Sequence, residues 1–284
     1  MAELMVVATP IGNLSDMTPR MAAALSGADL IAAEDTRVTM KLLNHLGISK
    51  PMISCHRHNE LQQAPKLIER MLNEDITIAL TCDAGTPAIS DPGFELVKLA
   101  HAAGILVTPV CGPSAGIAAL SASGFDAREF AFYGFLPREK KPLQQKLIEI
   151  AKGTKVAIVY ESPHRVTDMV GIVADTLPDA RVCVCCDISK KFERIVVAGA
   201  AAAHQQLRDN PNTHKGEYVV VIDLHDVVLE EKEAPPAALG AEQVLFSYML
   251  EGCDVNEAGK RAMAAGLTRN EVYKAKLNIK DILG

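Results

Sequence analysis

Five short stretches hold most of the side chains able to do chemistry: AEDTR at 33–37, CHRHNE at 55–60, DAGTPAISDPG at 83–93, GPSA at 112–115 and YESPHR at 160–165. Glu34, Asp35, His56, His58 and Glu161 are the candidates to take a proton from a hydroxyl nucleophile, the task of a positioned carboxylate or imidazole. Glu161 and Glu34 are favoured as base or as organiser of a site. A salt bridge to Arg37 or Arg165 is the plain alternative for each. The eleven residues from Asp83 hold two Gly, two Pro, two Asp, a Ser and a Thr, whereas a simple turn needs two or three such residues. That excess points to a backbone shaped around a ligand. In GPSA, Gly112 and Pro113 permit a sharp turn, and Ser114 sits where an N-cap hydroxyl and free helix amides meet polar groups, of a ligand or of the helix itself. His56-x-His58 offers two imidazoles to a metal but no third ligand, so no metal site is expected.

These stretches need elements to position them. LMVVAT, LIAAE, MISC, ITIALT and ILVTPV read as strands. Between them, Thr18 and Pro19 read as N-cap and N1 of a helix running to Ser26, and TMKLLNHL as a short helix stopped by Gly47. Ala64, Leu67, Ile68, Met71 and Leu72 share one helical face. Asp91 and Pro92 are expected to open a helix ending at Gly104, and Ser114 one reaching Ser123. The alternation predicts an α/β lobe over 1–124 with a mainly parallel sheet. Ligands then sit beyond the carboxyl ends of the strands, so TPIGNL, EDTR, CHRHNE, DAGTPAISDPG and CGPSAG converge on one rim. DAGTP and GPSA are expected at neighbouring strand ends.

A second, mixed-sheet lobe is expected over 125–224. It comprises FAFYGFL, a helix around LQQKLIEIA, KVAIVY, a helix opened by Ser162 and Pro163 with Val166, Met169, Val170 and Val173 facing inward, and the runs RVCVCC, FERIVVA and YVVVID. Residues 225–240 are acidic and Pro/Ala-rich and read as a linker. Residues 241–284 read as a helical module with a Thr268–Glu271 capping box.

Bulk properties narrow the class. With 49% hydrophobic and 23% charged residues and a mean hydropathy of +0.12, the chain reads as a compact, cytoplasmic protein without a membrane span or signal peptide. Seven cysteines, most in apolar surroundings (Cys82, Cys111, Cys183, Cys185), point to a reducing compartment. Strand alternation turns Cys183 and Cys186 to opposite faces, against a metal or redox pair. A net charge of -6 does not advertise a nucleic-acid surface, so any basic patch must be local. No glycine fingerprint precedes the acids at 34 and 35, which excludes a dinucleotide fold. The tail offers two short helices around a Gly-Leu turn, the basis for a ligand-sensing helix-turn-helix DNA binder. Six Lys/Arg against four acids from Asp254 onward is thin for that role.

In this order and at these intervals, ATPIGNLSDMT, AEDTR, HNE, DAGTPAISDPG, CGPSAG, FYGFLP, YESPHR and KGEYV resemble the tetrapyrrole-methylase superfamily. Within it they resemble the branch that methylates small-subunit ribosomal RNA. The resemblance covers essentially the whole chain. It implies an α/β, two-lobed tetrapyrrole-methylase-like fold with a small helical C-terminal module, acting as a homodimer. It implies an S-adenosylmethionine-dependent enzyme that methylates the ribose 2'-hydroxyl of a cytidine in the decoding region of 16S rRNA, within the small ribosomal subunit. Carried over residue by residue, Thr9, Pro10, Asp83, Ala84, Gly85, Thr86 and Pro87 line the donor pocket, and Ser114 and Ala115 hold the methionine end. Phe132, Tyr133, Cys186 and Gly216 close over adenine and ribose. Arg37, Arg57, His164, Arg165 and Lys190 belong to motif loops and are the expected RNA phosphate contacts. Two departures concern the RNA side. The family pattern R-E-L-T-K stands here as Cys186-Asp187-Ile188-Ser189-Lys190, and a later Arg-Gly stands as Ala198-Gly199. A porphyrin-like carbon or a diphthamide precursor is the alternative acceptor.

Overall fold

The computed structural model describes residues 2–229 and 240–283, and the chain divides into two compact units, 1–229 and 230–284. Unit one begins with five short β-runs separated by amphipathic helices. Strands β1 (Glu3–Val7), β2 (Leu30–Ala33), β3 (Met52–Ser54), β4 (Thr77–Thr81) and β5 (Leu106–Val110) form a sheet in the order β3-β2-β4-β1-β5. Every pairing in it is parallel. Helices α1 (Pro19–Gly27) and α2 (Thr36–Leu46) cover one face through Met21, Leu25 and Leu43. Helices α3 (Glu60–Glu74) and α4 (Phe94–Ala102) cover the other through Leu67, Met71, Leu96 and Ala100.

Local chemistry sets several boundaries where the sequence places them. Thr18 accepts the Met21 N–H and Pro19 occupies the first helical position of α1. Gly47, with φ 67, ends α2 in the left-handed conformation that glycine adopts without strain.

Four expectations need correction. The ends of β4 and β5 are not neighbours, because β1 lies between them. Helix α4 does not start at Asp91 and Pro92 but at Phe94, because residues 88–92 close a turn of their own (Ala88 N–H to Pro92 O, 3.2 Å). Leu72, at the margin of the α3 stripe, is 56% exposed, and Cys111 is exposed rather than core.

Helix α5 (Ala115–Ser123) leaves the first sheet and packs its Ala119 and Leu120 on the second, against Ile158, Cys183, Val219 and Val221. Gly116 makes that approach close, since a Cβ there would stand 3.3 Å from Ile158 Cγ2 and 3.5 Å from the Tyr160 hydroxyl. The second sheet runs β6 (Ala131–Phe135), β7 (Val156–Glu161), β10 (Tyr218–Asp223), β8 (Arg181–Cys186), β9 (Arg194–Gly199), with only β6 and β7 parallel. Helices α6 (Lys140–Gly153), α7 (Val166–Thr176) and α8 (Ala200–Asp209) cover its other face, with Val166, Met169, Val170 and Val173 buried as expected. Helix α8 is not anticipated by the sequence reading. Cys183 and Cys186 do lie in different cores, on opposite faces of the sheet.

The expected linker at 225–240 falls largely on residues 230–239, outside the described residues. In the second unit α9 (Ala241–Leu250), α10 (Val255–Ala264) and α11 (Arg269–Leu283) enclose a core of Leu245, Ala258, Ala262, Val272, Ala275 and Ile279. The Thr268–Glu271 capping box is formed, the Thr268 N–H donating to Glu271 at 2.8 Å. No helix among the described residues is long and apolar enough to cross a membrane.

Candidate functional site

The loops at the carboxyl edge of the first sheet are laced to one another. Thr9 and Gly85 exchange backbone hydrogen bonds of 2.8 and 3.0 Å, and the buried Thr9 hydroxyl donates to Cys82 O at 3.1 Å. The Thr86 hydroxyl reaches Pro113 O at 3.3 Å, so DAGTP and GPSA meet although β1 separates their strands. Glu34 accepts the Asp83 N–H at 3.3 Å and Asp83 accepts the Asp35 N–H at 3.1 Å. From CHRHNE, Arg57 donates to Ser90 O at 3.2 Å, and Glu60 accepts the N–H groups of Gly93 and Glu95. Asn59 bonds the His56 N–H and Ser54 O, fixing its own loop. Of the HNE motif, Glu60 holds the 83–93 loop and Asn59 the motif's own turn.

That loop forms one wall of a cleft of about 340 Å³ between the two sheets of unit one. Ala84, Gly85, Thr86, Ser114 and Ala115 line it from the first half of the unit, as expected from the sequence. Tyr160, Glu161, Ser162, Pro163, Ile188, Glu217 and Tyr218 line it from the second. Ser114 stands at the N-cap of α5 without making the side-chain cap bond, which leaves the first helix amides and the hydroxyl to a ligand. Glu161 is 3% exposed. Its Oε1 accepts the Ser162 N–H at 2.7 Å, while Oε2 has no hydrogen-bond partner and only Arg165 Nη2 at 3.3 Å.

Other expected residues stand behind this lining. Thr9, Pro10, Asp83 and Pro87 do not line the cleft, though Thr9 and Asp83 bond the loop behind it. Phe132 backs Tyr160 with an edge-to-face contact of 5.0 Å, whereas Tyr133 packs into the core under α6 and α7. Gly216, at φ 89, turns the chain so that Glu217 and Tyr218 reach the cleft. Cys186 faces a different cavity.

Of the expected phosphate contacts, His164 and Arg57 are exposed. Arg37 is committed to Asp35 at 2.6 Å and holds that carboxyl down at about 2. Arg165 is divided between Glu161 and Pro137 O. Lys190 lies between Asp187 and Glu217 with its stem across Gly12. Next to it Ser189 donates to Asp16, a second tie between the halves.

Among the cleft residues that escape the sequence reading are Ser90, Asp91 and Glu217. Asp91 lies inside DAGTPAISDPG, and reading it as a helix start hid it. Burial raises the Asp91 carboxyl, with the charge of Asp83 adding and a bond from Cys82 opposing. Burial likewise raises Glu34, against the Asp83 N–H bond that lowers it. Among the described residues no three His, Cys, Asp or Glu side chains gather to hold a metal.

The family model of Tetrapyrrole (Corrin/Porphyrin) Methylases matches residues 3–203. A ribosomal RNA small subunit methyltransferase I of Pasteurella multocida (strain Pm70) is 45% identical over 85% of this chain and 86% of its own. One of Pseudomonas aeruginosa is 42% identical over 96% of each. A solved diphthine synthase, 13% identical, shares the fold at a TM-score of 0.59 over 80% of this chain and 91% of its own. The chain belongs to the tetrapyrrole methylase family, in the group of its ribosomal RNA small subunit methyltransferase I relatives.

Proposed function

We propose that this chain transfers a methyl group from S-adenosylmethionine to the ribose 2'-hydroxyl of a cytidine in the decoding region of 16S rRNA, presented by the small ribosomal subunit. The observation that carries the reading is the buried Glu161 Oε2, ion-paired with Arg165 but without a hydrogen bond, on the wall of a cleft built by the 83–93 and 112–115 loops. A buried carboxylate oxygen without a hydrogen bond is costly, and a donor from a ligand removes that cost. The relatives named for ribosomal RNA small subunit methylation give the acceptor class.

The residues fit the methyl donor. A cleft of about 340 Å³ is within the size range of small-molecule sites, which combine apolar walls with a few placed polar groups. Ala84 and Thr86 would hold it by their backbone, beside Gly85, whose own N–H and C=O are bonded to Thr9, and Ser114 and Ala115 by the free amides of α5. Ile11, Pro163 and Ile188 supply the apolar wall. When bound, S-adenosylmethionine supplies a methyl carbon on a cationic sulfur, open to in-line displacement by an oxygen.

The chain contributes position and proton transfer. Two halves tied by Ser189–Asp16 and Lys190–Gly12 hold the reacting groups in line, an effect worth up to ~7 to 11 kcal/mol in well-oriented systems. Glu161 takes the hydroxyl proton, a role that typically contributes about 10²- to 10⁴-fold. Glu34 serves as organiser, through the Asp83 N–H. We also read the chain as a cytoplasmic homodimer. Tritiated methyl should pass to small ribosomal subunits lacking the mark and not to free rRNA or a porphyrinoid precursor. Labelling of the porphyrinoid instead would reject the RNA acceptor, and a shift of random duplex DNA without methyl transfer would favour the helix-turn-helix alternative.

A further inference from the structure

A second cavity, of about 370 Å³, opens one strand along from the donor cleft. Its place follows from strand register. Glu161 on β7, Tyr218 on β10, Cys186 on β8 and Arg194 on β9 lie directly opposite one another across the sheet, and directly opposed residues of antiparallel strands share a face. Tyr218 is the common wall, lining the cleft and the second cavity alike.

The chemistry of this cavity differs from that of the cleft. Arg194 and Lys215 line it, Asn210 and Asn212 add carboxamides, and Phe192 stands in its wall 76% exposed. The carboxylate present, Asp187, is occupied by Lys190 Nζ at 3.1 Å and the Glu217 N–H at 3.3 Å. Among the described residues neither Arg194 nor Lys215 is paired with a carboxylate, whereas Arg37, Arg70, Arg128 and Lys190 all are. In a chain of net charge -6, two unneutralised cations converging on one hollow make a local anion site. The nearby Lys191 ammonium, 5.5 Å from the Phe192 ring centroid, adds to it. Guanidinium and ammonium groups pair with phosphate, an exposed aromatic ring offers a platform on which any base stacks, and carboxamides bond the edges of unstacked bases.

We propose that this cavity holds a nucleotide of single-stranded RNA flanking the one whose ribose is modified, its phosphate between Arg194 and Lys215 and its base on Phe192. The assignment rests on the reading of the cleft as a site of transfer to RNA. It also supplies the RNA side with cations that the motif loops spend on protein carboxylates.

The test uses the full chain, fluorescence anisotropy with a labelled single-stranded oligocytidine 10-mer, and calorimetric titration of the donor. Arg194→Ala/Lys215→Ala should weaken the oligonucleotide at least tenfold and flatten the log K against log salt slope by about 0.7, the share of one neutralised phosphate on a single strand. Phe192→Ala, at an exposed position that folding does not depend on, should weaken it about fivefold or more with the slope unchanged. Donor titration should match the unsubstituted chain in both variants. Unchanged oligonucleotide affinity overturns the proposal. So does a loss seen equally with pyrophosphate while Phe192→Ala is silent, which would mark a bare anion site, and so does a change in sedimentation, which would mark an interface between copies. A chain that gives no donor heat yet shows the expected oligonucleotide losses would sink the cleft reading, and with it the flanking assignment, leaving the cavity as a single-stranded RNA site alone.

Discussion

The carboxylate of Glu60 accepts the backbone N–H of Gly93 at 2.9 Å, and the same oxygen accepts that of Glu95 at 2.7 Å. A side chain from the first turn of α3 thus caps α4 and pins the far end of the loop that builds the cleft. Capping bonds of this kind are worth about 0.5 to 2 kcal/mol. Glu60→Ala should lower thermal stability by that order and weaken donor binding, because Ser90 and Asp91 lose their anchor. Glu60→Gln keeps an acceptor oxygen and should recover most of both. Donor affinity identical in all three proteins would detach this cap from the site.

Glu161 separates base from scaffold. Glu161→Gln preserves shape and an acceptor for the Ser162 N–H but cannot take a proton. Single-turnover methyl transfer should fall by about 10²- to 10⁴-fold with donor affinity little changed. A comparable loss of donor affinity would make Glu161 an organiser.

Arg165 stands 3.3 Å from Glu161 Oε2 and donates to Pro137 O at 3.0 Å. Removing it leaves a buried carboxylate without its counter-charge, at a cost of about 1 to 3 kcal/mol. Arg165→Ala should therefore lower the melting temperature and disturb donor binding as well as RNA binding. A loss confined to RNA would return Arg165 to the phosphate contacts.

Burial raises the Asp91 carboxyl in the folded chain. A raised acid binds its proton more tightly folded than unfolded, so its ionisation opposes folding as pH climbs through the carboxylate range and spares it below about pH 3.9. Asp91→Asn should melt higher than the unsubstituted chain at pH 7, with the gap closing toward pH 3. Asp35, held at about 2 by Arg37, acts with the opposite sign, gaining stability as pH rises from about 2 through 3.9. Melting curves across that range distinguish the two slopes.

Gly216 has φ 89, and a Cβ there would stand 2.6 Å from Asp187 Oδ2. Backbone strain alone costs about 1 to 3 kcal/mol at such a position, and the clash displaces the Asp187 carboxylate from the Glu217 N–H and Lys190. Gly216→Ala should destabilise the chain by at least that order and weaken donor binding through Glu217 and Tyr218. Wild-type melting would show that the turn relaxes freely.

Elements with local signals were legible. Thr18 with Pro19, Gly47, the Val166 to Val173 stripe and the Thr268–Glu271 box each act within a few residues, and each stands where the sequence puts it. Helix α8 was not legible, because β9 runs directly into it at Gly199 and Ala200 with no turn residues between. The start of α4 was misread because its cap comes from Glu60, a partner 33 positions away in the chain. Of the candidate site, Ala84 to Thr86, Ser114, Ala115 and Glu161 were found from motif and spacing. Ser90, Asp91 and Glu217 were not, since a loop's composition does not tell which side chains turn inward.

By itself the sequence determined the alternation of strand and helix, the parallel character of the first sheet and the family, since periodicity, capping and motif order are written along the chain. Only the tertiary structure decided that β1 separates β4 from β5, that α5 crosses to the second sheet, that Glu60 clamps the cleft loop, and that Arg194 and Lys215 meet in a hollow of their own. Those relations join residues tens to more than a hundred positions apart. What sets them is the burial of whole faces and the pairing of backbone groups across crossovers, which no local stretch encodes.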